Sequence, residues 1–303
     1  MSRILFITGP TASGKTARAV TIARRLDGEI ISADSRQIYC GMNLGTGKDL
    51  DEYGDTPYHL IDIAPAGYKY NLYEYLRDFD RARLDIESRG KFPVVCGGTG
   101  LYIESALKGI HLPEVPADLE LRSQLEGKTL EELTGILASM KTLHNSTDVD
   151  TAKRAIRAIE IETYYRRHPD AALNARPTPL TDALTIGVDI PRDARRKRIT
   201  DRLHARIEAG MIDEVKALIN SGVDPEDLIY YGLEYKFVTL HLIGRLSYDE
   251  MLSGLEIAIH QFAKRQMTWF RGMERRGYPI HWLPWDLDDD TFTAEVLKLL
   301  GHE

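Results

Sequence analysis

One segment constrains the fold of this chain more than any other: Gly9-Pro10-Thr11-Ala12-Ser13-Gly14-Lys15-Thr16. It lies between an apolar run and a predicted helix, and it fits the pattern Gly-x-x-x-x-Gly-Lys-(Ser/Thr). The glycines of this pattern let backbone N–H groups turn toward phosphate oxygens, and the helix that follows adds its positive end. Lys15 would place a charge between phosphates, and the Thr16 hydroxyl would bind Mg²⁺. The segment therefore predicts a P-loop for a di- or triphosphate, without indicating that a phosphoryl group is transferred.

Apolar strands and helical stretches alternate along most of the chain. Strands are predicted at Arg3–Thr8, Glu29–Ala33, Tyr58–Asp62, Phe92–Cys96, Ala183–Val188 and His281–Leu283. Helices are predicted at Lys15–Leu26, Asn71–Arg89, Asp193–Gly210, Ile212–Ser221, Leu233–Leu242 and Ser247–Arg276, and a further helix ends at Lys108. Strands that alternate with helices build parallel sheets with helices on both faces. The predicted fold class is α/β, a P-loop NTPase-like parallel sheet flanked by helices.

The alternation stops near residue 112. Helical stretches at Leu119–Glu126, Leu130–Met140 and Thr151–Arg167 follow without a strand between them, and prolines flank the region. We therefore predict a helical insertion domain over residues 113–176. Residues 1–112 and 177–303 would form the P-loop core domain with its C-terminal helices.

Charge and cysteine content narrow the functional classes only partly. The net charge is −7, which argues against nucleic acid at first, but the stretches Arg192–Arg206 and Lys264–Arg276 are strongly basic. Local basic segments can bind RNA within an acidic protein. The chain has no apolar run long enough to span a membrane, and its two cysteines, Cys40 and Cys96, predict no disulfide framework. We expect a cytoplasmic protein without a membrane segment.

Two further segments follow predicted strands and should meet the P-loop at one crevice. Asp34 follows the second strand, and Gly97-Gly98-Thr99-Gly100 follows the fourth. Ligands of open α/β sheets bind beyond the carboxyl ends of the strands. Asp34 could act there as a general base or beside Mg²⁺, or it could cap a turn. Thr99 could offer its hydroxyl to the same crevice, or the glycines could only form a tight turn.

Basic side chains on two predicted helices are candidates for RNA contact. Arg154 and Arg157 are three residues apart and share one helix face. Lys264, Arg265 and the aromatic Trp269 lie on another helix. Cations with an aromatic ring suit RNA phosphates and bases, yet the same pattern suits a helix that packs its apolar face inward and exposes its charges.

The ordered set of motifs resembles the tRNA dimethylallyltransferase (tRNA isopentenyltransferase) family. The resemblance extends from residue 3 to about residue 271, and the combination is far more specific than the P-loop alone. Its motifs are Gly9–Thr16, Asp34–Tyr39, Gly41–Lys48, Tyr58–Asp62, Gly97–Tyr102, Lys153–Glu160 and Phe262–Phe270.

The resemblance implies a reaction and a set of site residues. The family transfers a dimethylallyl group from dimethylallyl pyrophosphate to N6 of adenine 37, in the anticodon stem-loop of tRNAs that read codons beginning with U, with the help of Mg²⁺. Asp34 matches the family's base, Thr99 a residue beside the reacting amine, and Lys15 the catalytic P-loop lysine. The expected tRNA contacts are Asp34, Ser35, Arg36, Gln37, Thr99, Lys153, Arg154, Ala155, Ile156 and Arg157, together with Lys264 and Arg265.

The chain departs from the family pattern at a few positions. Where the family usually carries Arg-Ala-hydrophobic-Gly-Tyr-(Lys/Arg), this sequence has Tyr231-Gly232-Leu233-Glu234-Tyr235-Lys236. Tyr231 stands where a substrate-contacting arginine is expected, with Lys236 as the candidate replacement. His260 and Phe262 replace a usual arginine and tyrosine. These departures bear on tRNA preference more than on the reaction type.

Two other functions fit parts of the sequence. A P-loop kinase of a nucleoside or small metabolite would turn over ATP, but it would need only a lid smaller than this helical insertion. A nucleotide-dependent RNA-binding module would leave Asp34 without a role. We expect the transferase to act as a monomer.

Overall fold

A six-stranded, wholly parallel sheet forms the centre of the protein. The computed structural model describes residues 4–143, 147–170 and 177–301. The strands are β1 (Ile4–Thr8), β2 (Gly28–Ser32), β3 (Tyr58–His59), β4 (Phe92–Gly97), β5 (Ala183–Asp189) and β6 (His281–Pro284). They lie in the order β3-β2-β4-β1-β5-β6. This arrangement confirms the predicted α/β fold of the P-loop type.

Helices connect the strands and extend the C-terminal part of the chain. Residues 1–109 and 179–303 form the core unit, and α4 to α6 belong to the residues between them. The helices of the core unit are α1 (Lys15–Arg25), α2 (Leu72–Ser88), α3 (Gly100–Leu107), α7 (Arg192–Glu208), α8 (Met211–Asn220), α9 (Pro225–Tyr231), α10 (Leu233–Leu242), α11 (Tyr248–Arg275) and α12 (Asp289–Leu300). A short 3₁₀ turn spans Leu50–Glu52. Helices α9 and α12 were not among the predicted elements.

The sheet buries a different layer of side chains on each face. Successive residues of a strand point to opposite faces. Leu5 and Ile7 of β1 belong to the core cluster that includes α1 and α12, whereas Phe6 between them packs against Phe79 of α2. Helices therefore cover both faces, and the loops at the carboxyl ends of the strands are left to form a site.

Residues 110–178 form a second compact unit, separate from the unit of residues 1–109 and 179–303. It contains α4 (Leu119–Leu125), α5 (Leu130–Met140), a 3₁₀ turn at Thr147–Val149 and α6 (Ala152–Arg167). Its core contains Leu125, Leu133, Leu137, Ala155, Ala158 and Ile159. The buried carboxylate of Glu160 accepts hydrogen bonds from Arg122 and from the Asp118 N–H. These charge-assisted bonds offset the cost of burying the carboxylate.

In the part of the chain that the structure describes, every helix is too short or too polar to cross a membrane.

Candidate active site at the P-loop crevice

The P-loop is shaped by backbone conformations that favour glycine. A Cβ on Gly9 would lie 2.8 Å from Ser13 Oγ and 3.2 Å from the Val188 carbonyl oxygen, so no larger residue fits without movement. Gly14 is the N-cap residue of α1, with a φ of 86°, and it has no side chain that could bond to the first N–H groups of the helix. The N–H groups at the start of α1 therefore have no side-chain cap, which is the arrangement that an anion-binding helix N-terminus needs.

Gln266 of α11 joins the P-loop to the turn after β4. The Thr11 N–H donates to Gln266 Oε1 at 2.8 Å, and Gln266 Nε2 donates to the Gly98 carbonyl oxygen at 2.9 Å. A Cβ on Gly98 would lie 2.4 Å from Nε2, so glycine is required for this approach. The bridge is buried, and it fixes two loops of the crevice relative to each other.

Asp34 and Thr99 occupy neighbouring loops at the carboxyl ends of β2 and β4. The Thr99 N–H donates to the Ala33 carbonyl oxygen at 3.1 Å, and the Thr99 hydroxyl accepts the Ser35 N–H at 3.0 Å. Asp34 Oδ1 accepts the Arg36 N–H at 2.9 Å, and Asp34 lines the cavity. Thr99 thus holds both neighbours of Asp34 in place.

The Gly41–Lys48 segment forms another wall, held from both sides. The Glu214 carboxylate accepts the N–H groups of Asn43, Leu44 and Gly45, and also the Tyr235 hydroxyl. The ammonium group of Lys48 is fully buried and pairs with Asp62. A loop with so many charged anchors presents its glycines to the cavity in a fixed position.

Three cations face the cavity from the P-loop and α7: Lys15, Arg202 and Arg206. Burial lowers the pKa of Lys15, and nearby Cys96 and Asp34 oppose that shift. Burial lowers the pKa of Arg202 to about 10, with repulsion from Arg206 as the next cause. The Arg202 guanidinium donates to the Thr11 hydroxyl. This excess of buried positive charge at the P-loop suits a polyanionic ligand.

The cavity lining also contains apolar and aromatic side chains and a further carboxyl group, that of Glu234. Its apolar members are Tyr53, Tyr231, Leu233, Tyr235, Ile259 and Phe262. Glu234 lies in the first turn of α10 and lines the cavity, and burial raises the pKa of its carboxyl group. The cavity lining therefore combines cations with an apolar wall formed by these side chains, as a ligand with a diphosphate and a hydrocarbon part requires.

Most of the predicted core-domain residues meet at this cavity. It is lined by Thr11, Lys15, Thr16, Asp34, Arg36 and Gln37. Gly9, Pro10, Ala12, Ser13 and Gly14 complete the loop itself. Ser35 and Thr99 are bonded to each other beside the cavity, whereas Lys264 and Arg265 are exposed on α11 and do not line it.

The remaining predicted tRNA contacts lie on α6 of the second unit. Lys153 is exposed, and Arg154 forms an ion pair with Asp150. Arg157 forms an ion pair with Glu160 and donates to the Val115 carbonyl oxygen at 2.8 Å. Ala155 is fully buried and Ile156 is partly buried against the core of this unit. The exposed part of the segment is therefore its basic edge.

Four further residues line the cavity that were not predicted from the sequence: Arg202, Arg206, Glu234 and Gln266. The arginines belong to a basic stretch that was noted, and their spacing of four residues places them on one helix face. That spacing was the available signal. Glu234 and Gln266 had no such signal, because only the tertiary fold brings α10 and α11 to the P-loop.

Magnesium would have to be held mainly by its phosphate ligand. Among the described residues, His, Cys, Asp and Glu side chains nowhere form a group of three that could hold a metal ion. Mg²⁺ in phosphate sites takes one or two protein oxygens, several waters and phosphate oxygens. The Thr16 hydroxyl at the cavity fits this limited role.

Comparison with known proteins agrees with the crevice geometry. A family model described as IPP transferase matches residues 37–273, and one described as isopentenyl transferase matches residues 2–55. A protein of Porphyromonas gingivalis, tRNA dimethylallyltransferase 2, is 60% identical over 302 residues, which covers 98% of this chain and 99% of that protein. The similarity therefore includes both units and all the P-loop crevice.

Solved structures show the same architecture. The full-length tRNA isopentenylpyrophosphate transferase of Bacillus halodurans is 29% identical, with a TM-score of 0.72 over 99% of this chain and 96% of that one. A eukaryotic dimethylallyltransferase acting on tRNA has a TM-score of 0.82 at 22% identity, over 98% of this chain and 77% of that one, and supports the fold. Because a family model spans most of the sequence and a relative is 60% identical from end to end, this chain belongs to the IPP transferase family of tRNA dimethylallyltransferases.

Proposed function

We propose that this protein transfers a dimethylallyl group from dimethylallyl pyrophosphate to N6 of adenine 37 in tRNAs that read codons beginning with U. The product is N6-(dimethylallyl)adenosine. The observation that carries this proposal is a single cavity that is lined by P-loop residues, by Asp34 and by the apolar wall. A similar relative is named for transfer of this group to tRNA.

The cavity suits substitution at carbon. The diphosphate binds at the P-loop, with Lys15 and Arg202 near its oxygens, and the prenyl chain lies against residues such as Leu233 and Phe262. The N6 atom of adenine attacks C1 of the prenyl group as the bond from C1 to the diphosphate oxygen breaks. The diphosphate leaves with that electron pair, and cations stabilise the charge it gains.

Asp34 takes the proton that N6 loses as the new C–N bond forms. An exocyclic amine is a poor nucleophile, and a carboxylate within reach of it assists attack. The Arg36 N–H binds one oxygen of Asp34, which orients the other oxygen toward the cavity. Thr99 anchors this loop and would place its hydroxyl beside the reacting amine.

Mg²⁺ would be held by the Thr16 hydroxyl together with the diphosphate. When bound, it would neutralise charge on the leaving diphosphate.

Adenine must leave its stack to reach the cavity, as in other enzymes that modify a base. Ser35, Arg36 and Gln37 would contact the flipped base or its neighbours, and Lys264 and Arg265 would contact the tRNA backbone. Lys153, Arg154 and Arg157 on the second unit, with Ala155 and Ile156 behind them, would contact the anticodon stem-loop. We further propose a cytoplasmic monomer; its cysteines are unpaired, as in reducing compartments.

The test is incubation of the protein with Mg²⁺, labelled dimethylallyl pyrophosphate and unmodified tRNA, beside a reaction that contains γ-labelled ATP. We expect label in tRNA and no phosphate transfer from ATP. Phosphate transfer or ATP hydrolysis without label in tRNA would instead support the P-loop kinase.

A further inference from the structure

Helix α7 carries three arginines at intervals of four residues, and the second and third of them line the cavity. The Arg198 Nη2 atom lies 3.7 Å from the position of a Cβ on Gly14. One turn later, Arg202 donates to the P-loop hydroxyl of Thr11. A further turn along, Arg206 lies against Gly47 and lines the cavity. The three side chains thus lie on one face of α7, two of them at the P-loop and the third at Gly47.

Arg206 differs from Arg202 in its hydrogen bonding. Arg206 is only 8% exposed, and its Nη2 atom is buried. Despite this burial, Nη2 makes no hydrogen bond within the described chain. Asp49 Oδ2 is the nearest opposite charge, at 3.5 Å from Nη2. A buried guanidinium with an incomplete set of acceptors is unfavourable unless a ligand supplies them.

The Gly41–Lys48 loop leaves room for the Arg206 side chain because position 47 is a glycine. A Cβ on Gly47 would lie only 1.7 Å from Nη2, and Gly47 has a φ of 62°. The loop itself is held firmly through Glu214 and Lys48. The guanidinium therefore occupies a fixed position in the cavity wall.

The arginine that the family pattern places at position 231 is missing, and Lys236 does not replace it in the cavity. Tyr231 takes the position of the expected arginine, and its hydroxyl accepts the Gly67 N–H and donates to the Tyr68 carbonyl oxygen. Lys236 is exposed, lies over the Phe237 ring and does not line the cavity. Among the described residues, the cavity is lined by Arg206 and by the cations Lys15, Arg202 and Arg36, and Arg36 lies over the Tyr231 ring.

We propose that Arg206 binds the diphosphate of the prenyl donor, as a second arginine beside Arg202. This inference rests on the proposed function, because it assigns the anion to the donor of that reaction. Asp49 forms an ion pair with the guanidinium when no anion is bound. Diphosphate oxygens would then supply the missing acceptors.

The test measures binding of inorganic pyrophosphate by calorimetry to the full-length wild type and to Arg206→Met. Loss of a charge-assisted contact should weaken binding about tenfold to a hundredfold. Arg206→Lys, which keeps the charge, should recover part of the affinity. Lys197→Met removes an exposed charge from the same helix and should bind as the wild type does. Lys15→Met should lose binding and serves as the positive control.

Folding is checked by the thermal midpoint without ligand. If Arg206→Met does not fold, Gly47→Ala provides a second route, because its methyl group would displace the guanidinium. Pyrophosphate affinity within twofold of wild type in the folded Arg206 or Gly47 variant would overturn the inference and leave the proposed function intact. A wild type that binds no pyrophosphate and labels no tRNA would overturn both.

Discussion

Gln266 Oε1 accepts a hydrogen bond from the Thr11 N–H at 2.8 Å, so that a residue near the end of the chain fixes the P-loop near its start. The same side chain donates to the Gly98 carbonyl oxygen. The crevice is therefore one hydrogen-bonded assembly of the P-loop, the β4 turn and α11.

Replacement of Gln266 by alanine should loosen this assembly. Two buried backbone groups lose their partner, which costs on the order of 2 kcal/mol of unfolding free energy. We also expect pyrophosphate to bind several-fold more weakly, because the P-loop is no longer held in position. Urea unfolding and calorimetry measure the two effects. Unchanged values for both in Gln266→Ala would show that the bridge is dispensable.

Replacement of Asp34 by alanine should separate binding from turnover. Pyrophosphate affinity should stay near the wild-type value, because Asp34 does not hold the diphosphate. The rate of prenyl transfer under saturating substrates should fall by roughly 10²- to 10⁴-fold, since the proton of N6 loses its acceptor. Single-turnover transfer measures this rate. Asp34 is not the base if turnover is unchanged in this variant.

Loss of a side chain from the apolar wall should weaken binding of the prenyl donor without affecting binding of pyrophosphate. Phe262→Ala should raise the KM for dimethylallyl pyrophosphate about tenfold or more, because the prenyl group loses a contact surface. Affinity for inorganic pyrophosphate should not change. The control is Phe237→Ala, which removes a ring outside the cavity. Equal losses for donor and pyrophosphate would indicate that Phe262 shapes the whole site and does not contact the prenyl group.

The exposed cations of α11 make a prediction about tRNA. The double variant Lys264→Ala/Arg265→Ala should bind tRNA more weakly and reduce the slope of log Kd against log salt by about 1.5, as expected for two lost phosphate contacts. Pyrophosphate binding should be unaffected. Lys216→Ala/Lys298→Ala removes two exposed charges outside the basic stretches and is the matched control. An unaltered salt slope would place the tRNA backbone away from these residues.

Stability at low pH should depend on Glu29. Its carboxylate is bound by Arg89 and His59, and the Arg89 hydrogen bond is the main cause that lowers its pKa to about 2, from 4.5. As the pH falls, the Glu29 carboxylate takes up a proton at a higher pH in the unfolded chain than in the folded chain. The stabilisation is therefore complete above about pH 4.5 and is lost as the pH falls toward 2. It is worth on the order of 2 kcal/mol.

Urea unfolding of Glu29→Gln at pH 7 and pH 3 tests this linkage. The variant should be less stable than the wild type at pH 7, and the difference should shrink at pH 3. Glu295→Gln removes an exposed carboxylate and should show no such trend. A difference that is constant across this range would exclude Glu29 as its source.

Local sequence signals predicted the sheet and the long helices well. Asn71 was expected to begin α2, and it does so through a capping box with Glu74. Helix α9 is only two turns long, and its start at Asp224-Pro225 was overlooked although proline is favourable there. Helix α12 begins within an acidic run that gave no helix prediction, but Asp288 caps the helix and Phe292 packs it against the core.

The site could be predicted only where its residues follow strands. The P-loop, Asp34 and Thr99 each come directly after a strand, so the sheet alone brings them to one edge. Arg206, Glu234 and Gln266 reach the cavity from helices whose packing no local pattern describes. For the same reason Lys236 was suggested as the replacement for an expected arginine, whereas the structure places Arg206 in the cavity.

The central claim is that carbon is attacked and the diphosphate leaves whole. The most direct measurement combines mass spectrometry of nucleosides from tRNA with assay of the released phosphate species, after reaction with dimethylallyl pyrophosphate and Mg²⁺. The account predicts N6-(dimethylallyl)adenosine from position 37 and one pyrophosphate for each nucleoside modified. Unmodified adenosine with release of monophosphate would contradict it.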